Sequence, residues 1–175
     1  MSSWQQRTGA QCIIPDHCHT QTLHRVCVAE TDMMGIVHHA NYVTLFERGR
    51  LEYLRRRGLP YKEMVERGYH MPVVELNLRY RKPAHFDDLL CVETRLGALS
   101  RVTVRFNYVV SRSQLDPQQS AELLAEGHIL LACVDDKGRA RPLPEDVVPT
   151  LFLPEISRSD DPVIPGSRAD RAGNA

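Results

Sequence analysis

Thr31-Asp32-Met33-Met34-Gly35-Ile36-Val37-His38-His39-Ala40-Asn41-Tyr42 decides how this chain is read, and it runs directly into Val43-Thr44-Leu45-Phe46-Glu47-Arg48-Gly49-Arg50. Upstream, Val26 and Val28 alternate with Arg25 and Cys27, which predicts a first strand over 22–30. Downstream, Tyr42, Leu45, Phe46, Gly49 and Tyr53 recur at three- and four-residue spacing, so a helix with one apolar stripe is expected over Asn41–Arg57. Glu47, Arg48, Glu52, Arg55 and Arg56 supply its polar face. Asn41 reads as its N-cap, and Gly58 and Pro60 as its stop. Between strand and helix lies a loop with one acid, Asp32, one flexible point, Gly35, and two histidines. A helix start offers free backbone N–H groups and a positive dipole end. An acid, a histidine and such a start, side by side, are the parts that acyl transfer uses. The carboxylate attacks or activates water, and the N–H groups hold an oxyanion.

A second, shorter helix is expected over Tyr61–Arg67, ending at Gly68. Beyond it the period changes to two. Val74, Leu76, Leu78 and Tyr80 alternate with Glu75, Asn77 and Arg79 within 70–81. Leu90, Val92 and Leu96 share a face of 89–99, and Val102, Val104, Phe106 and Tyr108 share one of 101–110. A polar turn with Pro117 covers 112–119, and 121–134 forms a last strand, apolar on both sides in Ile129–Cys133 and therefore central or interfacial. A helical turn is expected at Glu145–Val148. Consecutive strands with short links make an antiparallel sheet, and a lone long helix must bury its stripe against one face of it. The expectation is α+β: a five-stranded antiparallel sheet wrapped around one long central helix, the hotdog fold. Gly49 on the stripe implies close packing against a neighbour. The domain spans 22–153, between a flexible polar arm at 1–21 and a disordered tail at 154–175 rich in Ser, Asp, Arg, Gly and Pro.

Composition narrows the function. In 175 residues, 22 basic and 22 acidic side chains leave zero net charge, which argues against a nucleic-acid partner. The five cysteines are odd in number and contain no C-x-x-C pair, so reduced thiols in a cytoplasm are expected. The N-terminus has no apolar signal core, and no apolar run reaches membrane-span length. Cys12, His17, Cys18 and His19 match no zinc spacing, so no metal is expected.

The segment from Glu30 to Arg50, with Thr-Asp-x-x-Gly, His-Ala-Asn-Tyr and Phe-Glu-Arg in succession, resembles the opening of the 4-hydroxybenzoyl-CoA thioesterase family. It is most similar to the branch of bacterial acyl-CoA thioesterases associated with the Tol–Pal system. Arg79-Tyr80-Arg81-Lys82-Pro83-Ala84 with Phe86-Asp87-Asp88, and Gly138 with Arg139-Ala140-Arg141-Pro142, resemble later family segments, so the likeness covers roughly 22–148. The resemblance implies hydrolysis of an acyl-CoA by a homotetramer or homodimer of hotdogs, without a cofactor. Asp32 takes the position of the catalytic carboxylate, His39 that of a second catalytic group, and the His39 N–H that of the donor to the thioester carbonyl. Two departures bear on the acyl pocket: His38 stands where the close branch has tyrosine, and Met33 and Met34 replace small residues.

Each candidate has a plainer reading beside it. Asp32 alone is an ordinary turn acid, and His39 an ordinary helix-start histidine. Gly35, His38, Asn41 and Tyr42 complete the expected substrate contacts, with Asn41 also able to hold the loop shut. Arg79, Arg81 and Lys82 are expected to hold the CoA phosphates, or else to form a solvated strand face. Glu47 reads as half of a surface ion pair. The alternatives to acyl-CoA hydrolysis are a thioesterase acting on acyl carrier protein and a non-catalytic thioester-binding hotdog.

Overall fold

A computed structural model describes residues 14–113 and 121–156. Along the chain come β1 (His19–Arg25), a 3₁₀ turn (Val28–Glu30), α1 (Asn41–Arg55), α2 (Tyr61–Glu66), β2 (Val73–Tyr80), β3 (Leu89–Leu99), β4 (Thr103–Arg112), β5 (Glu122–Ala132) and α3 (Val147–Thr150). The strands form one five-stranded antiparallel sheet in the order β1-β3-β4-β5-β2. α1 lies on its inner face, so the expected hotdog arrangement is the fold observed.

The core follows from the two periodicities. Leu90, Val92 and Leu96 of β3 and Val104, Phe106, Tyr108 and Val110 of β4 are buried, and so are Tyr42, Leu45, Phe46, Gly49 and Tyr53 of α1. Phe46 stacks on Tyr108 with centroids 4.2 Å apart, and Tyr53 meets Phe106 edge-on at 5.2 Å. A fully buried aromatic of this size stabilises the fold by about 2–3 kcal/mol. Gly49 is needed where the helix touches the sheet, because a Cβ there would lie 2.3 Å from Thr94 Oγ1.

Several boundaries differ from the sequence expectation. β1 starts at His19 and stops at Arg25, because the Glu30 carboxylate takes the Cys27 N–H at 2.8 Å and turns the chain. α1 ends at Arg55, where the Leu59 N–H returns to the Leu54 carbonyl at 3.0 Å and Gly58 takes φ +73°. α3 sits two residues later than expected.

Parts of the expected arm and tail are folded rather than loose. Cys18 is buried in the core, His17 Nε2 pairs with the Phe152 carbonyl at 2.8 Å, and the Ile156 N–H donates to the Arg56 carbonyl at 2.7 Å. The remainder, 1–13 and 157–175, lies outside the described residues, as does most of the polar turn around Pro117.

The Ile129–Cys133 run, expected to be central or interfacial, is central in the sheet. Ile129, Leu131 and Cys133 are buried between β4 and β2 and belong to the core. The exposed apolar strand is β2, a sheet edge, where Val73 and Val74 keep 49% and 56% of their surface in solvent. Both residues sat on an alternating strand, and alternation carries no sign of an edge.

Candidate active site

The site begins as a turn. Thr31 and Val37 form a β-bridge, the Asp32 N–H donates to the Ile36 carbonyl at 2.9 Å, and the Gly35 N–H returns to the Asp32 carbonyl at 2.9 Å. Gly35 closes this turn at φ +75°, a conformation that side chains with a Cβ resist. The Asp32 carboxylate accepts the Met34 N–H at 2.8 Å, which aims it and leaves it half-exposed. The Val37 N–H donates to the Ala84 carbonyl at 2.8 Å and Ile36 bridges His85, so the turn is docked on the β2–β3 connection. That connection is itself pinned. Arg112 Nη2 lies 2.9 Å from Asp88 Oδ2 and donates to the Pro83 carbonyl at 2.9 Å. Burial pushes the Asp88 carboxyl up, but Arg112 and the His85 N–H outweigh it and hold the group below its ordinary value.

Four consecutive amides open α1, and three of them are spoken for. His38 donates to the Glu30 carbonyl at 2.8 Å, Ala40 to its neighbour's ring at His38 Nδ1 at 3.3 Å, and Asn41 to the His38 carbonyl at 2.9 Å. Among the described residues the His39 N–H meets no acceptor. Asn41 is not the N-cap. Ala40 occupies that position with helical φ −66° and ψ −25°, and Asn41 Nδ2 instead donates to the Glu30 carbonyl at 2.7 Å. The amide side chain therefore ties the helix start to the strand side of the turn, the loop-closing use that its sequence position allowed.

The two imidazoles lie together, His38 and His39 having ring centroids 4.1 Å apart. Tyr42 is buried, and burial pushes its phenol up. Tyr80, at the end of β2, meets the Tyr42 ring edge-on at 5.3 Å and donates its hydroxyl to the His39 carbonyl at 3.1 Å. Sequence reading placed Tyr80 on the apolar side of an alternating strand. Nothing in that pattern shows that it reaches across to the helix start.

The expected phosphate cluster is largely committed elsewhere. Arg81 pairs with Glu126, and Lys82 with Glu122 at 2.7 Å. Arg79 is exposed and lines a cavity of about 660 Å³ with Asn77, Arg105, Asn107, Glu126 and His128, on the sheet face turned away from α1. Glu47 is exposed, 3.9 Å from Arg50, as a surface ion pair would be. Met33 and Met34 project into solvent from the turn. His17 and His19 are bonded to backbone carbonyls, and among the described residues no group of three His, Cys, Asp or Glu side chains is placed to hold a metal.

A half-exposed carboxylate and an unpaired amide thus flank one helix start, on a turn braced from both sides. The fold that carries it, an antiparallel sheet with one long helix on its inner face, is that of the hotdog thioesterases. Residues 26–151 match the profile of the thioesterase-like superfamily, and the chain belongs to that family. It is 30% identical over 125 residues to the acyl-CoA thioester hydrolase YbgC of Escherichia coli O6:H1, covering 71% of this chain and 89% of the relative. A solved structure of the hypothetical protein TT1821 from Thermus thermophilus superposes with a TM-score of 0.68 at 41% identity, over 75% of this chain and 95% of that one. The 4-hydroxybenzoyl-CoA thioesterase of Pseudomonas sp. strain CBS-3 superposes with a TM-score of 0.67 at 25% identity, over 75% and 98% of the two chains.

Proposed function

We propose that this acyl-CoA thioesterase breaks its thioester at the start of α1, with Asp32 as nucleophile or general base and the His39 N–H holding the carbonyl oxygen. The observation that carries the reading is the unpaired His39 amide between three satisfied ones. A donor left free at a helix N-terminus is preorganised for an oxygen that gains negative charge. In one route an Asp32 oxygen attacks the carbonyl carbon, the C–S bond breaks, and CoA leaves as thiolate. Water then opens the mixed anhydride. In the other, Asp32 takes a proton from water as that water attacks, and the proton ends on the departing sulfur. Either way one water is consumed and a carboxylic acid and CoA thiol are released. A thiolate is a good leaving group, so neither route needs a strong acid. The His39 ring, exposed beside the same amide, orients the water or substrate, and Gly35, His38, Asn41, Tyr42 and Tyr80 shape the acyl entrance.

The CoA assignment is supported by two of the proteins named above, the acyl-CoA thioester hydrolase YbgC and the 4-hydroxybenzoyl-CoA thioesterase. Arg79 is the cation of its triplet best placed for a phosphate, since Glu126 and Glu122 take the other two. The functional unit is a homo-oligomer. β2 exposes Val73, Val74 and Leu76 along an unpaired sheet edge, and a second copy is the natural cover for it. No helix among the described residues is long and apolar enough to cross a membrane. The free thiols of Cys27, Cys91 and Cys133 suit a reducing cytoplasm.

Thiol release from a panel of aryl, short and branched acyl-CoAs tests the reading. Wild type is expected to release CoA from at least one ester and Asp32→Asn from none above background. Hydrolysis of acyl carrier protein esters alone would overturn the CoA assignment. A monomer by light scattering at micromolar concentration would overturn the oligomer.

A further inference from the structure

Glu30 joins the turn, the helix start and the end of β1. Its backbone carbonyl accepts both the His38 N–H at 2.8 Å and Asn41 Nδ2 at 2.7 Å, so one oxygen fixes the distance between the turn and the helix start. Its carboxylate accepts the Cys27 N–H at 2.8 Å and lies 2.9 Å from His24 Nε2. His24 in turn has Nδ1 3.2 Å from Arg48 Nη1 on α1. A guanidinium has no acceptor and keeps its protons, so His24 Nδ1 must be the acceptor. Nε2 then carries the hydrogen and donates it to Glu30. The ring is held in one orientation between a fixed donor and a fixed acceptor. Burial pushes the Glu30 carboxyl up, yet the Cys27 N–H and His24 outweigh it and keep it below its ordinary value, so Glu30 stays an acceptor. Across β1, His24 faces Leu90 of β3, which brings no competing charge.

We propose that Arg48, His24 and Glu30 form a positioning chain for the thioesterase site. It passes the placement of the α1 surface, through one oriented histidine ring, to the carbonyl that occupies the His38 amide and leaves the His39 amide free. None of the three touches the substrate. They set where the His39 N–H points relative to Asp32, and a displacement well under the size of an atom is enough to misalign an oxyanion donor. This inference rests on the proposed roles of Asp32 and the His39 amide.

The test compares His24→Ala, His24→Gln and Arg48→Met, with Asp32→Asn alongside, using CoA release and hydrogen exchange of the 30–41 segment. His24→Ala is expected to lower kcat about tenfold with KM within about twofold, and to speed exchange of the His38 amide. Glutamine can accept from Arg48 and donate to Glu30, so His24→Gln is expected to recover most of the loss. Arg48 is exposed, and Arg48→Met folds normally and loses about threefold in kcat. Equal kcat in wild type and His24→Ala, with Asp32→Asn dead, would overturn the positioning chain alone. A His24→Gln variant as slow as His24→Ala would do the same, because it would make His24 a packing residue. An active Asp32→Asn would instead overturn the site reading beneath it.

Discussion

The two ends of α1 are built in opposite ways. At its N-terminus the groups are half-exposed, one carbonyl serves two donors, and the His39 N–H has no acceptor among the described residues. Past its C-terminus Arg57 is buried to 2% exposure, with its guanidinium donating to the His17 and His19 carbonyls at 3.1 Å each and to Thr20 Oγ1 at 2.9 Å. The same group lies over the Tyr53 ring at 3.6 Å, and Tyr53 donates to the Leu151 carbonyl at 2.7 Å. One end gathers the two ends of the described chain onto the helix. The other keeps a donor in reserve. Stability and reactivity are separated along one element by about 20 Å of helix, taking 1.5 Å per residue. Substitutions at the two ends should therefore give different phenotypes.

The largest effect expected is at the reactive end. Asp32→Asn keeps volume and the Met34 N–H bond but removes the nucleophile or base. CoA release should fall by roughly two or more orders of magnitude, mostly in kcat. The urea midpoint and oligomer state should hold. A parallel loss of stability would mean that the carboxylate braces its turn, and the contrast between the ends would collapse.

At the other end Arg57→Ala should do the reverse. It strands the His17 and His19 carbonyls and the Thr20 hydroxyl in a buried site. A loss of about 3 kcal/mol is expected by urea titration, because each orphaned buried acceptor costs about 1–3 kcal/mol before partial relaxation. Activity per folded molecule should stay within about twofold, since no catalytic group moves. A folded Arg57→Ala with collapsed kcat would show that the clamp reaches the site.

What sequence alone made legible follows the same division. The period-two and three-and-four patterns found β3 to the residue, put α1 within two residues of its end and placed Phe46 and Tyr53 in the core, because burial writes itself into local spacing. The Thr-Asp-x-x-Gly segment pointed to the turn, since Gly35 and Asp32 shape it locally. The long-range polar pairings left no such trace. Arg57 stands four residues past Tyr53 as a charged side chain at the end of the expected helix, and its type gave no sign that partners from β1 make it one of the most buried side chains. Arg81 and Lys82 read as a phosphate cluster only because Glu126 and Glu122, on a strand 45 and 40 residues further on, were not yet known to face them. Tyr80, His24 and Glu30 were missed for the same reason. Their roles lie in what crosses from one element to another.

A smaller test compares two buried tyrosines, Tyr53 packed edge-on against Phe106 and Tyr108 stacked on Phe46. Tyr53 has a partner for its hydroxyl, the Leu151 carbonyl at 2.7 Å. Tyr53→Phe removes that bond and leaves the carbonyl dry, so a loss of about 1–2 kcal/mol is expected in urea unfolding.

Tyr108 should respond with the opposite sign and the smallest magnitude. Its hydroxyl is buried, and among the described residues it has no hydrogen-bond partner. Burial, the largest cause, pushes its phenol up and Glu47 adds to the rise, with Arg50 pulling the other way. Tyr108→Phe keeps the ring that stacks on Phe46 and deletes only the unsatisfied oxygen. The desolvation cost of that oxygen disappears, and a small void takes its place. The first effect exceeds the second for an unpaired polar atom, so a gain of up to about 1 kcal/mol is expected, with kcat unchanged. A clear loss instead would mean that the hydroxyl is satisfied, through a bound water or the Arg50 guanidinium. The middle of α1 would then resemble its Arg57 end, a fully bonded interior, rather than a transition between the two.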